Sequence, residues 1–190
     1  QSAKQVRAML DTKMKYFYLN DKQHYLDLDN TMFDARKPIH EKNYKTYSLD
    51  GDNIRHGLNK DLTFTEKDRV ENIRRIAHVA QLFVDAGLIV TTSFISPYEE
   101  EREYCKKLVQ EDEFVEVFVK APLEVCEERD VKGLYQKARD GIITNFTGIS
   151  APYEEPKNPH ITINTQTHSI EECINQLITY LQQRGIIENE

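Results

Sequence analysis

The pattern of apolar positions predicts strands that alternate with helices from about residue 44 onward. Residues 88–95 carry apolar side chains on both faces, as a strand buried in a parallel sheet requires. Between the predicted strands, apolar residues recur at helical spacing. This alternation predicts a doubly wound α/β fold, with a parallel sheet flanked by helices. The predicted strands are residues 44–49, 88–95, 114–121 and 160–164, and the predicted helices are 65–86, 99–110, a helix that begins near 122, 134–140 and 169–184.

Local signals support several of these boundaries. Thr65 and Ser169 have the side chains that cap helix N-termini, and Gly87 provides a C-terminal stop. Pro122 suits the first turn of a helix. The acidic cluster at residues 99–102 is interpreted as an exposed helix start, with acids near the positive end of the helix dipole.

The first 43 residues fit this pattern less well. A short helix is predicted at 2–10 and a strand at 16–19, followed by a polar segment at 20–30 that contains no glycine. If the α/β fold forms, a further helix is expected around residues 29–42, although Pro38 lies within it. The chain contains no internal repeat or low-complexity tract.

Composition narrows the functional class. The 190 residues are expected to form a single domain (1–190), and 39% hydrophobic and 30% charged residues are typical of globular proteins. A net charge of −7 argues against a nucleic-acid scaffold but permits a basic pocket for a small anion. The three cysteines lack zinc-ligand spacing and favour a reducing compartment. Without an apolar run of membrane-spanning length or a signal peptide, the expectation is a cytoplasmic protein with no membrane partner.

Polar side chains follow the predicted strands at the edge where α/β proteins bind ligands. Asp50 and Asp52 come after the first strand and Ser96 after the second, while Arg129 and Lys132 come one helix beyond the third. Carboxylates, a hydroxyl group and cations at one edge suit a phosphorylated ligand with Mg²⁺. Further candidates are Arg55, which could reach the same edge, and Arg69 with Asn72, which share one helix face.

Each candidate also has an ordinary structural explanation. Asp50 and Asp52 could form a turn and a helix cap, and Ser96 before Pro97 could be a loop residue. Arginines on a helix usually form a solvated face. Phe64 and Phe146 would ordinarily be core residues, and the six histidines show no spacing typical of metal ligands. These alternatives remain open on composition and spacing alone.

Five motifs together resemble the adenylylsulfate kinases, which phosphorylate the 3′-hydroxyl of adenosine 5′-phosphosulfate. The similarity is specific and runs from about residue 46 to the C-terminus, so 44–190 is expected to be the well-matched body and 1–43 a divergent part. The resemblance implies a P-loop nucleotide-kinase-like three-layer sandwich, the use of ATP and Mg²⁺, and a role in sulfate assimilation. It also implies a homodimer, or fusion to or association with ATP sulfurylase. The motifs are L-D-G-D-N-I-R (49–55), D-R-V-E-N-I-R-R (68–75), F-I-S-P-Y (94–98), R-D-V-K-G-L-Y (129–135) and N-F-T-G-I (145–149).

The resemblance also implies roles for individual residues. Asp52 corresponds to the acid near the acceptor hydroxyl and Mg²⁺, and is the candidate general base. Ser96 and Lys132 complete the implied catalytic set, while Arg129 and His168 correspond to the ATP side. Phe64 and Phe146 match an aromatic pair that holds adenine. The implied acceptor-binding residues are Asp50, Asn53, Arg55, Phe64, Arg69, Asn72, Ile95, Ser96, Lys132, Asn145 and Phe146.

The chain departs from this family where the ATP phosphates should bind. A P-loop of the form G-x-x-x-x-G-K-[ST] is expected at about residues 22–30, but all glycines lie at position 51 or later. Leu28 and Asp29 stand at the positions expected for the lysine and the magnesium-binding hydroxyl. Acidic side chains beside a triphosphate would repel it by about 1 kcal/mol or more for each close pair. Smaller departures are Thr63 and Asn145, at positions where the family tends to have glycine.

Three hypotheses follow from this conflict. The chain is an adenylylsulfate kinase, or it is an impaired pseudo-kinase that binds the sulfonucleotide as a regulatory module. The third hypothesis is that residues 12–43 are altered relative to an ordinary kinase. Turnover of ATP would distinguish the first hypothesis from the second.

Overall fold

The computed structural model describes residues 16–21, 36–130 and 133–188. Within these residues, five strands form one parallel sheet in the order β2-β3-β1-β4-β5. This confirms the predicted parallel α/β architecture. The strands are β1 (Tyr16–Asp21), β2 (Thr46–Asp50), β3 (Ile89–Phe94), β4 (Phe114–Lys120) and β5 (Ile161–Asn164).

Strand β1 lies at the centre of the sheet. Tyr18 pairs with Thr92 of β3 on one side and with Glu116 of β4 on the other. The short strand predicted at 16–19 is therefore confirmed and extends to Asp21. Because all the strands are parallel, their carboxyl ends meet at one edge, where the candidate residues were expected.

Seven helices lie in the described residues. They are α1 (Arg36–Glu41), α2 (Gly51–His56), α3 (Glu66–Asp85), α4 (Glu99–Lys106), α5 (Leu123–Glu128), α6 (Leu134–Arg139) and α7 (Ile170–Gln183). The caps predicted from the sequence are present: Thr65 accepts from the Asp68 N–H, and Ser169 forms a capping box with Glu172. Residues 36–41 of the helix expected around 29–42 are helical, whereas 29–35 and the helix expected at 2–10 lie outside the described residues.

Helix α4 ends earlier than predicted. It stops at Lys106, and a turn then leads to a short 3₁₀ helix, Glu111–Glu113. Leu108 and Val109 in this turn pack against the core instead of continuing the helix. The helix predicted over 99–110 is therefore too long. The apolar residues that had indicated its last turn contact the core from a non-helical turn.

Two apolar layers cover the faces of the sheet. On one face, Ile39 of α1 and Leu177 of α7 pack against β4 and β5. On the other face, α3 and α4 pack against β2 and β3, with Ile76 and Cys105 in the interior. Helices on both faces of a single sheet make the predicted three-layer sandwich. A third, smaller cluster joins α5, α6 and Phe146 near the carboxyl edge.

No helix in the described residues is both long enough and apolar enough to cross a bilayer.

Candidate functional site

The ends of β2 and β3 form one part of the candidate site. Asp50 ends β2 and pairs in register with Ser93 of β3, so the loop that contains Ser96 begins beside Asp50. The backbone of Asp52 and Asn53 forms the first turn of α2, which follows β2 without an intervening loop. The adjacency expected for Asp50, Asp52 and Ser96 is therefore present in the backbone, and the chemical roles of Asp52 and Asn53 stay predictions.

Ser96 has an unusual backbone conformation, and its hydroxyl group makes no hydrogen bond within the described residues. Its φ is +40°, a left-handed conformation that disfavours residues with a Cβ and costs about 1–3 kcal/mol. The side chain is 1% exposed, and its Oγ has no hydrogen-bond partner among the described residues. Such a group is satisfied when a ligand or water supplies the partner. Ile95, the neighbouring candidate, is half-buried.

Arg69 joins two loops that are distant in sequence. Its Nε donates to the carbonyl of Phe64 at 3.1 Å, its Nη1 to Thr147 Oγ1 at 2.7 Å and its Nη2 to the Asn145 carbonyl at 2.5 Å. Burial lowers the pKa of this guanidinium, and the charges of Tyr98 and Glu101 oppose the shift. Arg69 therefore brings the two predicted sides of the adenine site together and retains two N–H groups for other partners.

The two predicted adenine-binding phenylalanines have different surroundings. Phe64 is 60% exposed, and the Arg55 guanidinium lies 4.3 Å from its ring centre. Phe146 is 5% exposed and packs edge-to-face against Tyr135, with ring centres 5.0 Å apart. Phe64 is thus an open aromatic surface supported by a cation. Phe146 has the contacts of a core residue, so its role with adenine stays a prediction.

Asn72 is fixed from within the protein. It is buried, and its Oδ1 accepts from Asn59 Nδ2 at 2.9 Å. Sequence reasoning did not identify Asn59, which is fully buried in the turn after α2. An isolated asparagine in a polar loop gives no signal of burial. The amide of Asn72 is therefore held in one orientation beside Arg69 on α3.

A buried group of charged residues lies next to Ser96. The interpretation of residues 99–102 as an exposed helix start is wrong for two of them, because Glu101 is 6% exposed and Arg102 is 3% exposed. Arg102 Nη1 donates to the Ser96 carbonyl at 2.9 Å, and Arg102 Nε lies 3.2 Å from Glu116 Oε1. The helix presents Arg102 to β4, whose Glu116 provides the opposite charge. A single acid within the apolar run of β4 was the available sequence signal.

The carboxyl group of Glu101 has no hydrogen-bond partner among the described residues. Burial raises its pKa to about 7, while the neighbouring Arg102 charge opposes the rise. Burial likewise raises the pKa of Glu116, again against the attraction of Arg102. These acids are therefore held in a poorly solvated region beside the Ser96 loop.

The residues expected on the ATP side meet at the carboxyl end of β5. Arg129 donates to the carbonyl of Thr165 at 2.8 Å and to its Oγ1 at 3.3 Å. His168 is exposed, and its Nδ1 lies 3.0 Å from the Asn164 carbonyl, which favours a proton on Nδ1. Lys132 and the segment 22–30, where the P-loop was expected, lie outside the described residues. The structure therefore places Arg129 and His168 near one strand end, and their contact with ATP stays a prediction.

The described residues contain no group of three or more His, Cys, Asp or Glu side chains arranged to hold a metal ion. Mg²⁺ normally binds through one or two carboxylates together with substrate phosphates. The pair Asp50 and Asp52 at the end of β2 offers the oxygen chemistry that this ion prefers, so the residue types fit Mg²⁺.

Most of this chain is similar in sequence to one family of known proteins. The family model for adenylylsulphate kinase matches residues 31–164. The adenylyl-sulfate kinase of Marinobacter nauticus is 54% identical over 151 residues, which cover 80% of this chain and 76% of the relative. That of Oceanobacillus iheyensis is 58% identical over 142 residues, covering 75% and 71% respectively.

A solved structure shows the same similarity in three dimensions. The structure of the Mycobacterium tuberculosis APS kinase in complex with AMPPNP and APS has a TM-score of 0.81 and 42% sequence identity. The match covers 90% of this chain and 98% of that chain. It confirms the predicted nucleotide-kinase fold class. The chain belongs to the adenylylsulphate kinase family.

Proposed function

We propose that this chain transfers a phosphoryl group from ATP to the 3′-hydroxyl of adenosine 5′-phosphosulfate. The products are ADP and 3′-phosphoadenosine 5′-phosphosulfate, the activated sulfate of sulfate assimilation. The observation that carries the proposal is the bridge made by Arg69 between the Phe64 and Asn145–Thr147 loops. This bridge joins two loops whose residues the family resemblance had indicated for the acceptor nucleotide.

The acceptor nucleotide would bind through stacking and charge. The exposed ring of Phe64 offers a face for adenine, and Arg55 against that ring supplies positive charge for the phosphosulfate. The remaining N–H groups of Arg69 and the fixed amide of Asn72 provide further hydrogen bonds. Ser96 Oγ, buried without a partner among the described residues, would be satisfied by the same ligand.

The reacting hydroxyl would lie at the carboxyl edge near the end of β2. Asp52 would accept the proton of the 3′-hydroxyl, with Asp50 as the neighbouring acid at the end of the strand. Lys132 would supply positive charge to the acceptor. When bound, Mg²⁺ supplies charge neutralisation between the nucleotide phosphates, and Asp52 is the residue that would hold it.

The donor side is less well matched by the sequence. Residues 22–30 contain no glycine and no lysine-serine or lysine-threonine pair, so they do not fit the phosphate cradle of a P-loop. Arg129 and His168, near the end of β5, are the residues proposed to contact ATP.

This mismatch favours a second candidate function. The chain would then bind adenosine 5′-phosphosulfate through the same acceptor pocket, without turnover of ATP, as a regulatory module. Both functions suit a single cytoplasmic domain that acts as a homodimer or with ATP sulfurylase, and these assignments are part of the proposal.

A turnover assay with ATP, Mg²⁺ and adenosine 5′-phosphosulfate distinguishes the candidates. Formation of ADP and 3′-phosphoadenosine 5′-phosphosulfate that is lost in Asp52→Asn supports the kinase. Sulfonucleotide binding by calorimetry without product formation supports the regulatory module. If neither binding nor turnover is observed, the proposed function is wrong.

Binding also tests the pocket itself. Phe64→Ala should weaken adenosine 5′-phosphosulfate binding by about 5- to 150-fold, because stacking of a base on an aromatic ring contributes about 1–3 kcal/mol. Leu82→Ala is the matched control, since Leu82 is also a large exposed apolar residue but lies on α3 outside the pocket. Equal affinity of the Phe64 variant and the control would refute the stacking assignment.

A further inference from the structure

We propose that the buried ion pair between Arg102 and Glu116 positions Ser96 for contact with the acceptor nucleotide. The proposal rests on the proposed function, because it concerns the pocket for the same sulfonucleotide. Neither residue was among the candidates that the sequence motifs supplied.

Arg102 connects the Ser96 loop to the sheet through a single side chain. It lies on α4, six residues after Ser96, and its Nη1 donates to the Ser96 carbonyl at 2.9 Å. Its Nε lies 3.2 Å from Glu116 Oε1 on β4, and both side chains are more than nine-tenths buried. A planar guanidinium can hold two partners in fixed relative positions, which an ammonium group cannot do. Arg102 thus connects the Ser96 carbonyl to β4 through one hydrogen bond, to that carbonyl, and one ionic contact, to Glu116.

The β4 end of this connection is itself fixed. The Glu116 N–H donates to His160 Nδ1 at 3.0 Å, and the His160 N–H donates to the Glu116 carbonyl at 3.0 Å. These reciprocal bonds hold the backbone of Glu116 against the chain that enters β5. Arg102 thus pairs with an acid on a strand inside the sheet rather than on a loop.

Ser96 is a residue that needs such an anchor. Its positive φ is unfavourable for a side-chain-bearing residue, so surrounding contacts must maintain it. The conformation leaves its Oγ buried without a hydrogen-bond partner among the described residues. Its neighbour Pro97 is held separately, because the Pro97 carbonyl accepts from the Glu154 N–H at 2.8 Å. The loop is therefore held at both positions, and Arg102 provides the contact at the serine.

Stability alone gives a weak reason for this ion pair. Burying two charges removes them from water, and replacing a buried pair with apolar residues is often neutral or stabilising. Removing a single partner is different, because it leaves one buried charge uncompensated. A double substitution can therefore remove the anchor while the fold is maintained.

The test is the double variant Arg102→Met/Glu116→Met. We expect its thermal unfolding to resemble that of the wild type, while its affinity for adenosine 5′-phosphosulfate falls by about tenfold or more because Ser96 loses its position. Glu103→Ala/Lys106→Ala is the matched control, since it removes a partly exposed ion pair from the same helix that does not contact the Ser96 carbonyl. The control should bind the nucleotide like the wild type.

Hydrogen exchange provides a readout that needs no ligand. Two amides hydrogen-bond beside the Ser96–Pro97 loop. The Glu99 N–H donates to Glu154 Oε2, and the Glu154 N–H donates to the Pro97 carbonyl. Their exchange should accelerate by about tenfold in the double variant, whereas the Cys173 amide in α7 should be unaffected. A purely structural role would instead accelerate all three amides.

Each outcome decides the proposal. Unchanged affinity and unchanged exchange in a folded double variant would overturn it. If that variant does not fold, Arg102→Lys replaces it: this change keeps a charge beside Glu116 but cannot hold both partners, so the same two losses are expected. If the wild-type protein fails to bind adenosine 5′-phosphosulfate, the proposed function fails, and the exchange of Glu99 and Glu154 still decides whether Arg102 positions the loop.

Discussion

Replacing Glu101 by glutamine should change how the stability of this protein depends on pH. Glu101 is 6% exposed, and neither carboxyl oxygen has a hydrogen-bond partner among the described residues. Burial raises its pKa from the ordinary 4.5 to about 7. The attraction of Arg102 and Arg69 opposes the rise, and repulsion from Glu154 adds to it. Glutamine has nearly the same shape and cannot ionise.

The direction of the effect follows from proton binding. Because the pKa of Glu101 is raised on folding, the folded protein holds this proton more tightly than the unfolded chain. The resulting stability is fully present below about pH 4.5 and is lost as the pH rises through about 7. A shift of this size corresponds to about 3 kcal/mol. The free energy of unfolding of Glu101→Gln, relative to wild type, should therefore rise by about 2–3 kcal/mol between about pH 5 and about pH 8.

Urea unfolding of both proteins across this pH range measures the difference. Absolute stabilities at one pH are less informative, because the glutamine amide is also polar and buried. Glu103→Gln is the control for replacing a carboxyl group by an amide at an exposed position of the same helix. If the Glu101→Gln difference is constant between about pH 5 and about pH 8, folding does not raise the pKa of Glu101 and our account of its burial is wrong.

Two further predictions concern stability at other positions. Asn72→Ala should lower the free energy of unfolding by about 1–3 kcal/mol, because it leaves the Asn59 amide buried without its acceptor. Urea unfolding of this variant and of Asn158→Ala, a control at an exposed position, measures the loss. Equal stabilities of the two variants would contradict the hydrogen bond between Asn59 and Asn72. Ser169→Ala should lower the free energy of unfolding by about 1 kcal/mol, because it removes the acceptor for the Glu172 N–H at the start of α7. Urea unfolding measures this loss, and an unchanged midpoint would mean that the cap does not stabilise the protein in solution.

Local physical signals explain why most of the fold could be predicted from the sequence. The long helix α3 is bounded by Thr65 and Gly87, whose capping properties depend on neighbouring residues alone. The buried strand β3 is evident from the apolar residues at its two ends, Ile89, Val90 and Phe94. The end of α4 was not predictable in this way, because Leu108 and Val109 contact the core from a turn.

The candidate site was predictable where sequence motifs carried it. Arg69, Phe64 and Asn145 were identified from motifs, and the structure connects them through one side chain. The burial of Arg102 was missed because its partner Glu116 lies on a distant strand. Local sequence cannot reveal a pairing that forms only when the helix packs on the sheet.

The bridge made by Arg69 has a consequence for the thermodynamics of nucleotide binding. Its three hydrogen bonds order the Phe64 and Asn145–Thr147 loops during folding, before any nucleotide arrives. If the nucleotide binds between these loops as proposed, association would lose little loop entropy, and more of the contact energy would contribute to affinity. The entropic cost falls on the stability of the folded chain instead. Ordering these loops lowers the stability of the free protein in return for tighter binding in the proposed complex.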